Sequence, residues 1–208
     1  MSEAKSGLRA VLSFPFMYHF FQSLVGTPRM RKFIFGSFIK FPPGAKVLDI
    51  GCGPGELLDY IPTDAHYTGF DKDRDCILFA QKKYGNRGRF LDLDVNDAEQ
   101  LKVHESEYDV VLIFSILHHL DDGEVDKLLK LVRYCLKPSG IAVSVDGVYL
   151  EQQSRAAKYI LSKDRGQFVR PQAEYERLVK KHFDNVVVQV ERNLLRIPTD
   201  LLIMKMKK

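Results

Sequence analysis

The chain has 208 residues, 45% of them hydrophobic and 28% charged, and carries a net charge of +4. At about 150 residues per domain this is one core with an appendage, and the mild basic excess lacks the strong stripe that nucleic-acid binding would call for. Its three cysteines, Cys52, Cys76 and Cys135, are far apart with no C-x-x-C, which excludes a disulfide framework or a zinc site of the usual spacing and fits a reducing, cytoplasmic location.

The amino-terminal stretch 8–26 is rich in Phe and Leu and follows Lys5 and Arg9, as a signal peptide would. Pro15, His19 and Gln22 interrupt it, no small-residue cleavage site follows, and it is too short and polar to span a bilayer. An amphipathic helix that stays in the mature chain is expected, with residues 1–40 forming a helical cap or lid over a single domain at 41–208.

From Lys46 onward strands and helices alternate. Strands are predicted at Lys46–Ile50, His66–Phe70, Arg89–Leu93, Tyr108–Phe114 and Ile141–Val145. Helices are predicted at Gly55–Ile61, Asp73–Lys83 and Asp122–Leu136. The fourth strand is apolar at every position from Val110 to Phe114, as a parallel strand covered on both faces must be. Alternation of this kind predicts an α/β fold with a parallel sheet, right-handed crossovers and helices on both faces. Lys137-Pro138-Ser139-Gly140 is expected to stop the long helix and turn the chain. Residues 147–170 show no clear period and are basic, with Arg155, Lys158, Lys163, Arg165 and Arg170. Pro171 can open a helix to about Lys181. Two late strands, Asn185–Glu191 and Asp200–Met206, complete seven, as a hairpin at the edge of the sheet.

The first strand ends in Val47-Leu48-Asp49-Ile50-Gly51-Cys52-Gly53-Pro54-Gly55. Glycines on alternate positions bring bare backbone against a ligand, and Asp49 stands at the carboxyl end of the strand, where doubly wound sheets bind. A dinucleotide fingerprint counted from Gly51 needs glycine at position 56. Glu56 is there instead, and the third glycine is Gly55. Asp71, followed by Lys72, closes the second strand and can accept both ribose hydroxyls of a nucleoside; capping the helix that begins at Asp73 is the structural alternative.

An acidic residue before G-x-G-x-G resembles motif I of the class I S-adenosylmethionine-dependent methyltransferases. Three further segments in the family's order strengthen the resemblance, which covers roughly residues 40–146. It implies a Rossmann-like seven-stranded sheet with an antiparallel carboxyl-terminal hairpin edge and an amino-terminal helical lid. S-adenosyl-L-methionine is the implied cofactor, and Asp49, Gly51, Cys52, Gly53, Gly55, Asp71 and Lys72 are its first contacts. Asp94 would accept from the adenine amino group while Val95 packs on the ring; Asp92 is the alternative in register. Ser115 and Ile116, in Phe114-Ser115-Ile116-Leu117-His118-His119-Leu120, would line the methionine end.

The resemblance also places His118 and His119 where acceptor and sulfonium meet. A neutral imidazole suits proton abstraction near pH 7. His119 is favoured as the substrate-facing residue, with a structural role for both left open. No metal is expected, because two adjacent histidines lack a third ligand. The segment Phe14–Phe21, with Tyr18 and His19, would close over the site; core packing of the same aromatics is the alternative.

Methylation of a small molecule at oxygen or nitrogen is the expected activity. The basic run 155–170 would receive an anionic acceptor or simply be a solvated face. Neither an Asp/Asn-Pro-Pro-Tyr segment nor a glutamate pair for a guanidinium follows the fourth strand. A cofactor-binding module without catalysis and a dinucleotide-dependent oxidoreductase are the competing readings. Oligomeric state is not readable.

Overall fold

A computed structural model describes residues 26–97, 104–164 and 166–208. Seven strands form one sheet: β1 Lys46–Ile50, β2 His66–Asp71, β3 Gly88–Asp92, β4 Tyr108–Phe114, β5 Leu136–Gly147, β6 Asn185–Arg192 and β7 Asp200–Lys207. Their order is β3-β2-β1-β4-β5-β7-β6, parallel from β3 to β5 and antiparallel where β7 joins β5 and β6. The expected hairpin therefore forms the edge, with β7 inside and β6 outermost. β7 is almost wholly buried and β6 alternates between half-buried and exposed positions, as one covered and one open strand should.

Five α-helices are described: α1 Thr27–Phe38, α2 Arg74–Tyr84, α3 Asp122–Cys135, α4 Arg155–Ser162 and α5 Gln172–Lys180. α3 illustrates why they form. Asp121 accepts from the Glu124 amide while the Glu124 carboxylate accepts from the Asp121 amide, closing a capping box. Val125, Leu128, Leu129, Val132 and Cys135 then fall on one buried stripe. One core layer on this side joins α3 and α5 to Leu48, Ile50, Val111 and Ile113. The opposite layer packs Met30, Ile34, Phe35 and Phe38 of α1 with Ile77 and Ala80 of α2 against Val47, Val110, Leu112 and Val143.

Three local expectations are corrected. The segment after the glycine loop is a short 3-10 helix, Glu56–Tyr60, rather than an α-helix. The Lys137–Gly140 breaker does not end in a turn before the fifth strand. Helix α3 stops at Cys135, and Leu136 already pairs with Tyr108 before the register shifts to Ile141 opposite Val110, so the breaker is an irregularity inside β5. Glycine is needed there: a Cβ on Gly140 would lie 3.0 Å from the Tyr108 carbonyl oxygen. Residues 147–170, which read as aperiodic, contain α4, capped by the Ser154 hydroxyl accepting from the Ala157 amide.

Candidate cofactor and acceptor site

The glycine loop leaves β1 through three left-handed residues, Gly51 at φ 69°, Gly53 at φ 52° and Gly55 at φ 77°. Space forbids a side chain at two of them. A Cβ on Gly51 would sit 2.0 Å from Ile116 Cδ1, and one on Gly55 would sit 2.8 Å from the Phe90 ring. Nothing lies within 4 Å of the corresponding point on Gly53. There the backbone faces open space, which leaves room for a ligand to approach the loop closely.

Asp71 braces this loop. Its Oδ2 accepts from the Gly53 amide and its Oδ1 from the Asp73 amide, both at 2.8 Å. Each oxygen keeps a second lone pair for an incoming hydroxyl. Helix capping falls to Asp73, which accepts from the amides of Asp75 and Cys76. Cys52 is buried between the glycines, and burial pushes its thiol far above the ordinary range. Lys72 is exposed beside Asp71.

Asp49 is the most unusual group. It is 1% exposed, and the Tyr67 hydroxyl donates to its Oδ2 at 2.6 Å. Its Oδ1 is buried with no hydrogen-bond partner. Burial, opposed by the Tyr67 hydrogen bond, raises its pKa to about 7. A buried acceptor without a donor costs on the order of 1–3 kcal/mol, so Oδ1 favours a cationic donor placed beside the glycine loop.

Asp92 ends β3 opposite Asp71 and is exposed. Asp94 lies in the turn beyond, where its Oδ1 accepts from the Asn96 amide at 2.9 Å. Val95 is half-buried against the core. After β4 the chain turns through Ser115, a non-glycine residue at φ 58° whose amide donates to the Val145 carbonyl at 2.7 Å. That strained turn delivers Ile116 against Gly51 and starts the 3-10 turn Leu117–His119.

The two histidines separate cleanly. His118 is buried; its Nδ1 lies 2.8 Å from Asp146 Oδ1 and its Nε2 3.3 Å from Asp164 Oδ1. Burial works to lower its pKa, but the two carboxylates outweigh this and raise it to about 9, so the ring is cationic at neutral pH. His119 is exposed, its ring centroid 4.3 Å from that of His118. Partial burial and then the His118 charge lower its pKa, so it is neutral there and keeps a lone pair.

Asp146 and Asp164 are missed by sequence reasoning. Asp146 carries the same signal as Asp49 and Asp71, a carboxylate at the end of an apolar strand. Asp164 has no local signal at all. His118, His119 and Asp164 bring ligand atoms within 4.8 Å of one another, so the expected lack of a third candidate ligand does not hold. Both nitrogens of His118 are nevertheless engaged by carboxylates, and the cluster forms an ion-paired network.

Within the basic run, Arg170 is not available to a substrate. It is 5% exposed and donates to the carbonyls of Leu117, Leu120 and Phe168 and to Asp122. Arg155, Lys158 and Lys163 are exposed. Tyr18 and the aromatic segment around it, all of the expected amphipathic helix at 8–26 except Gly26, and Arg165 lie outside the described residues. Among the described residues no helix is long and apolar enough to cross a membrane.

The sheet order, the glycine loop at the end of β1 and the carboxylates closing β1 and β2 define a class I methyltransferase fold. Comparison agrees: residues 47–140 match the family described as "Methyltransferase domain". The ubiquinone biosynthesis O-methyltransferase of Bartonella bacilliformis is 31% identical over 99 residues, 47% of this chain and 39% of that one. A mouse tRNA (carboxymethyluridine(34)-5-O)-methyltransferase is 30% identical over 130 residues, 61% of this chain and 18% of that one. The chain thus spans well under half the length of these relatives. Among solved structures, Haemonchus contortus phosphoethanolamine N-methyltransferase 2, in complex with S-adenosyl-L-methionine, superposes with a TM-score of 0.75 at 16% identity, covering 97% of this chain and 59% of that one.

Proposed function

We propose that this chain transfers a methyl group from S-adenosylmethionine to a small-molecule acceptor at oxygen or nitrogen, with His119 as general base, in the cytoplasm. The observation that carries the cofactor half is the buried, donorless Oδ1 of Asp49 beside a glycine loop with an open face at Gly53. A primary ammonium, such as that of a methionine moiety, supplies the missing donor. Asp71 offers its spare lone pairs to ribose hydroxyls, and Asp94 with Val95 takes the adenine. Gly51, Gly55, Cys52 and Lys72 complete the cradle, and Ser115 and Ile116 border its methionine end.

When bound, the cofactor supplies an electrophilic methyl group for in-line displacement. The residues of this chain orient the partners, a contribution of up to about 7–11 kcal/mol in well-aligned systems. His119, neutral and exposed beside a buried cation, accepts the acceptor's proton; a base of this kind is worth roughly 10²–10⁴-fold. Within residues 1–40, the part ahead of α1, with Tyr18, is assigned to the cap over this site, while α1 packs on the sheet; 41–208 is assigned to one domain, with 147–182 on the acceptor side. An anionic acceptor would meet Arg155, Lys158 and Lys163, since Arg170 is fully occupied.

Screening acceptor pools with a radiolabelled methyl donor tests the activity. Label transfer that drops by at least about 100-fold in His119→Ala, with S-adenosylhomocysteine affinity within about twofold of the parent, supports both halves. Lack of S-adenosylhomocysteine binding by calorimetry, or binding of NADH in its place, would overturn the cofactor assignment.

A further inference from the structure

The segment after β5 does more than border the acceptor side. It builds the surroundings of the histidine pair from three directions. Leu161 of α4 packs against Gly147, where a Cβ would come within 2.6 Å of Leu161 Cδ2; this anchors the end of α4 next to Asp146. Asp164 follows within one turn and reaches His118 Nε2, while its own Oδ1 also accepts from the Gly166 amide at 2.7 Å. Gly166 then lies flat on the imidazole, since a Cβ there would be 2.0 Å from His118 Cδ2. The Phe168 amide donates to the His118 carbonyl at 2.9 Å, and Arg170 clamps the carbonyls of Leu117 and Leu120 on either side. From the sheet side Asp146 Oδ1 receives both Nδ1 and the backbone amide of His118.

We propose that Asp146, His118 and Asp164 form a positioning trio, in which the inserted segment holds His118 as a cation against the His119 ring and so keeps His119 neutral as a proton acceptor. This rests on the reading of His119 as the base. Asp146 and Asp164 are arranged to favour the imidazolium: each ring N–H has a carboxylate oxygen, one of them buried. The other charged groups in reach are few among the described residues. Lys72 acts on His119 in the same sense as His118, whereas Asp164 and Asp146 oppose it. Arg170 is neutralised by Asp122, and the Tyr175 phenol beside Asp146 is pushed up by burial and stays protonated. The cation at His118 is therefore the near charge that separates the two rings, favouring the proton on one and disfavouring it on the other.

Asp146 and Asp164 thus act through His118 and are positioning residues, as is His118 itself. The arrangement also explains why an inserted segment without a strand is strapped so closely to one short turn: docking of Leu161, Asp164, Gly166, Phe168 and Arg170 and the electrostatics of the base become one event.

The test is histidine-ring NMR titration of the whole chain. His118 should titrate near 9 in the parent protein and His119 below its ordinary value of 6.5. Asp164→Asn should lower the His118 midpoint by at least about one pH unit, as loss of a close carboxylate does, and Asp164→Glu should restore most of it. His118→Gln should raise the His119 midpoint. A purely structural role would leave those midpoints in place while changing thermal stability. The proposal is overturned if His118 titrates near 6.5 in the parent, if Asp164→Asn leaves it unmoved, or if His119 does not rise in a folded His118→Gln chain. Should His118→Gln fail to fold, the Asp164 pair decides alone. Broadening of both histidine signals by one equivalent of Mn²⁺, lost in Asp164→Asn, would also overturn it in favour of a metal site. S-adenosylhomocysteine calorimetry on the parent keeps the two readings apart, because failure to bind defeats the methyl-transfer reading and leaves the titrations unaffected.

Discussion

The Tyr67 hydroxyl donates to Asp49 Oδ2 at 2.6 Å while the other oxygen of the same buried carboxylate has no donor. One half of Asp49 is thus held by the fold and the other half is held in reserve. Tyr67 itself is 3% exposed on β2, one strand away, so the sheet register that pairs Val47 with Tyr67 sets the orientation of the unpartnered oxygen.

This predicts opposite pH effects on stability and binding. The folded pKa of Asp49, about 7, lies above its ordinary value of 3.8. The stability it contributes is therefore complete below about 3.8 and is lost as pH rises through about 7. Asp49→Asn removes that slope and should melt higher than the parent at pH 8. S-adenosylhomocysteine binding should strengthen from pH 6 to pH 8 in the parent, as the carboxylate ionises, and weaken at least about tenfold in Asp49→Asn, a loss of one charge-assisted hydrogen bond. Calorimetry at the two pH values and thermal melts without ligand check both.

Asp71→Ala should damage the loop as well as the ligand contact. It removes the acceptor for the amides of Gly53 and Asp73 together. S-adenosylhomocysteine affinity should fall by at least about tenfold, equal to about 1.4 kcal/mol. Asp71→Asn, which keeps one acceptor oxygen, should lose less. Equal affinities in parent and Asp71→Ala would contradict the bracing role.

Gly51→Ala should abolish cofactor binding by collision as much as by strain. Its Cβ would meet Ile116 Cδ1 and Cγ1 at 2.0 and 2.6 Å. Ile116→Ala in the same chain removes both atoms, so the double variant should recover part of the lost affinity. The residual deficit should be on the order of 1–2 kcal/mol for an L-residue at φ 69°. A double variant no better than Gly51→Ala would mean the backbone conformation alone decides.

Arg170→Ala should be among the most destabilising single changes. It removes the buried donor to the Leu117 and Leu120 carbonyls, leaving Leu117 only the 3.3 Å bond from the Leu120 amide, and the donor to the part-buried Phe168 carbonyl. About 3 kcal/mol is expected from urea denaturation, given ~1–3 kcal/mol for each buried group left unpaired. Arg170→Lys should recover little, because one ammonium cannot reproduce the forked geometry. A change under about 0.5 kcal/mol would return Arg170 to the class of surface charges.

The sheet and its cofactor edge could be read from local pattern. Apolar runs of strand length, the positive φ demanded by closely spaced glycines, and carboxylates at strand ends are all properties of a few consecutive residues, and Asp49, Asp71 and the seven strands follow from them. The 3-10 turn after Gly55 and the irregular start of β5 escape such reading, because the choice there is made by what packs against the segment. The Tyr108 carbonyl at Gly140 is an example.

What only the tertiary structure decides is the acceptor side. In sequence His118 and His119 are equivalent neighbours, and Arg170 is one basic residue among five. The fold makes the histidines opposites by bringing Asp146 from 28 positions away and Asp164 from the far end of α4 onto one ring alone. It likewise consumes Arg170 by setting it on carbonyls 50 and 53 positions earlier. Sequence by itself determines where a nucleoside cofactor can lie, since backbone conformation at glycine is local. Which imidazole carries the proton is a matter of charges and burial assembled across the chain, and that is settled only once it is folded.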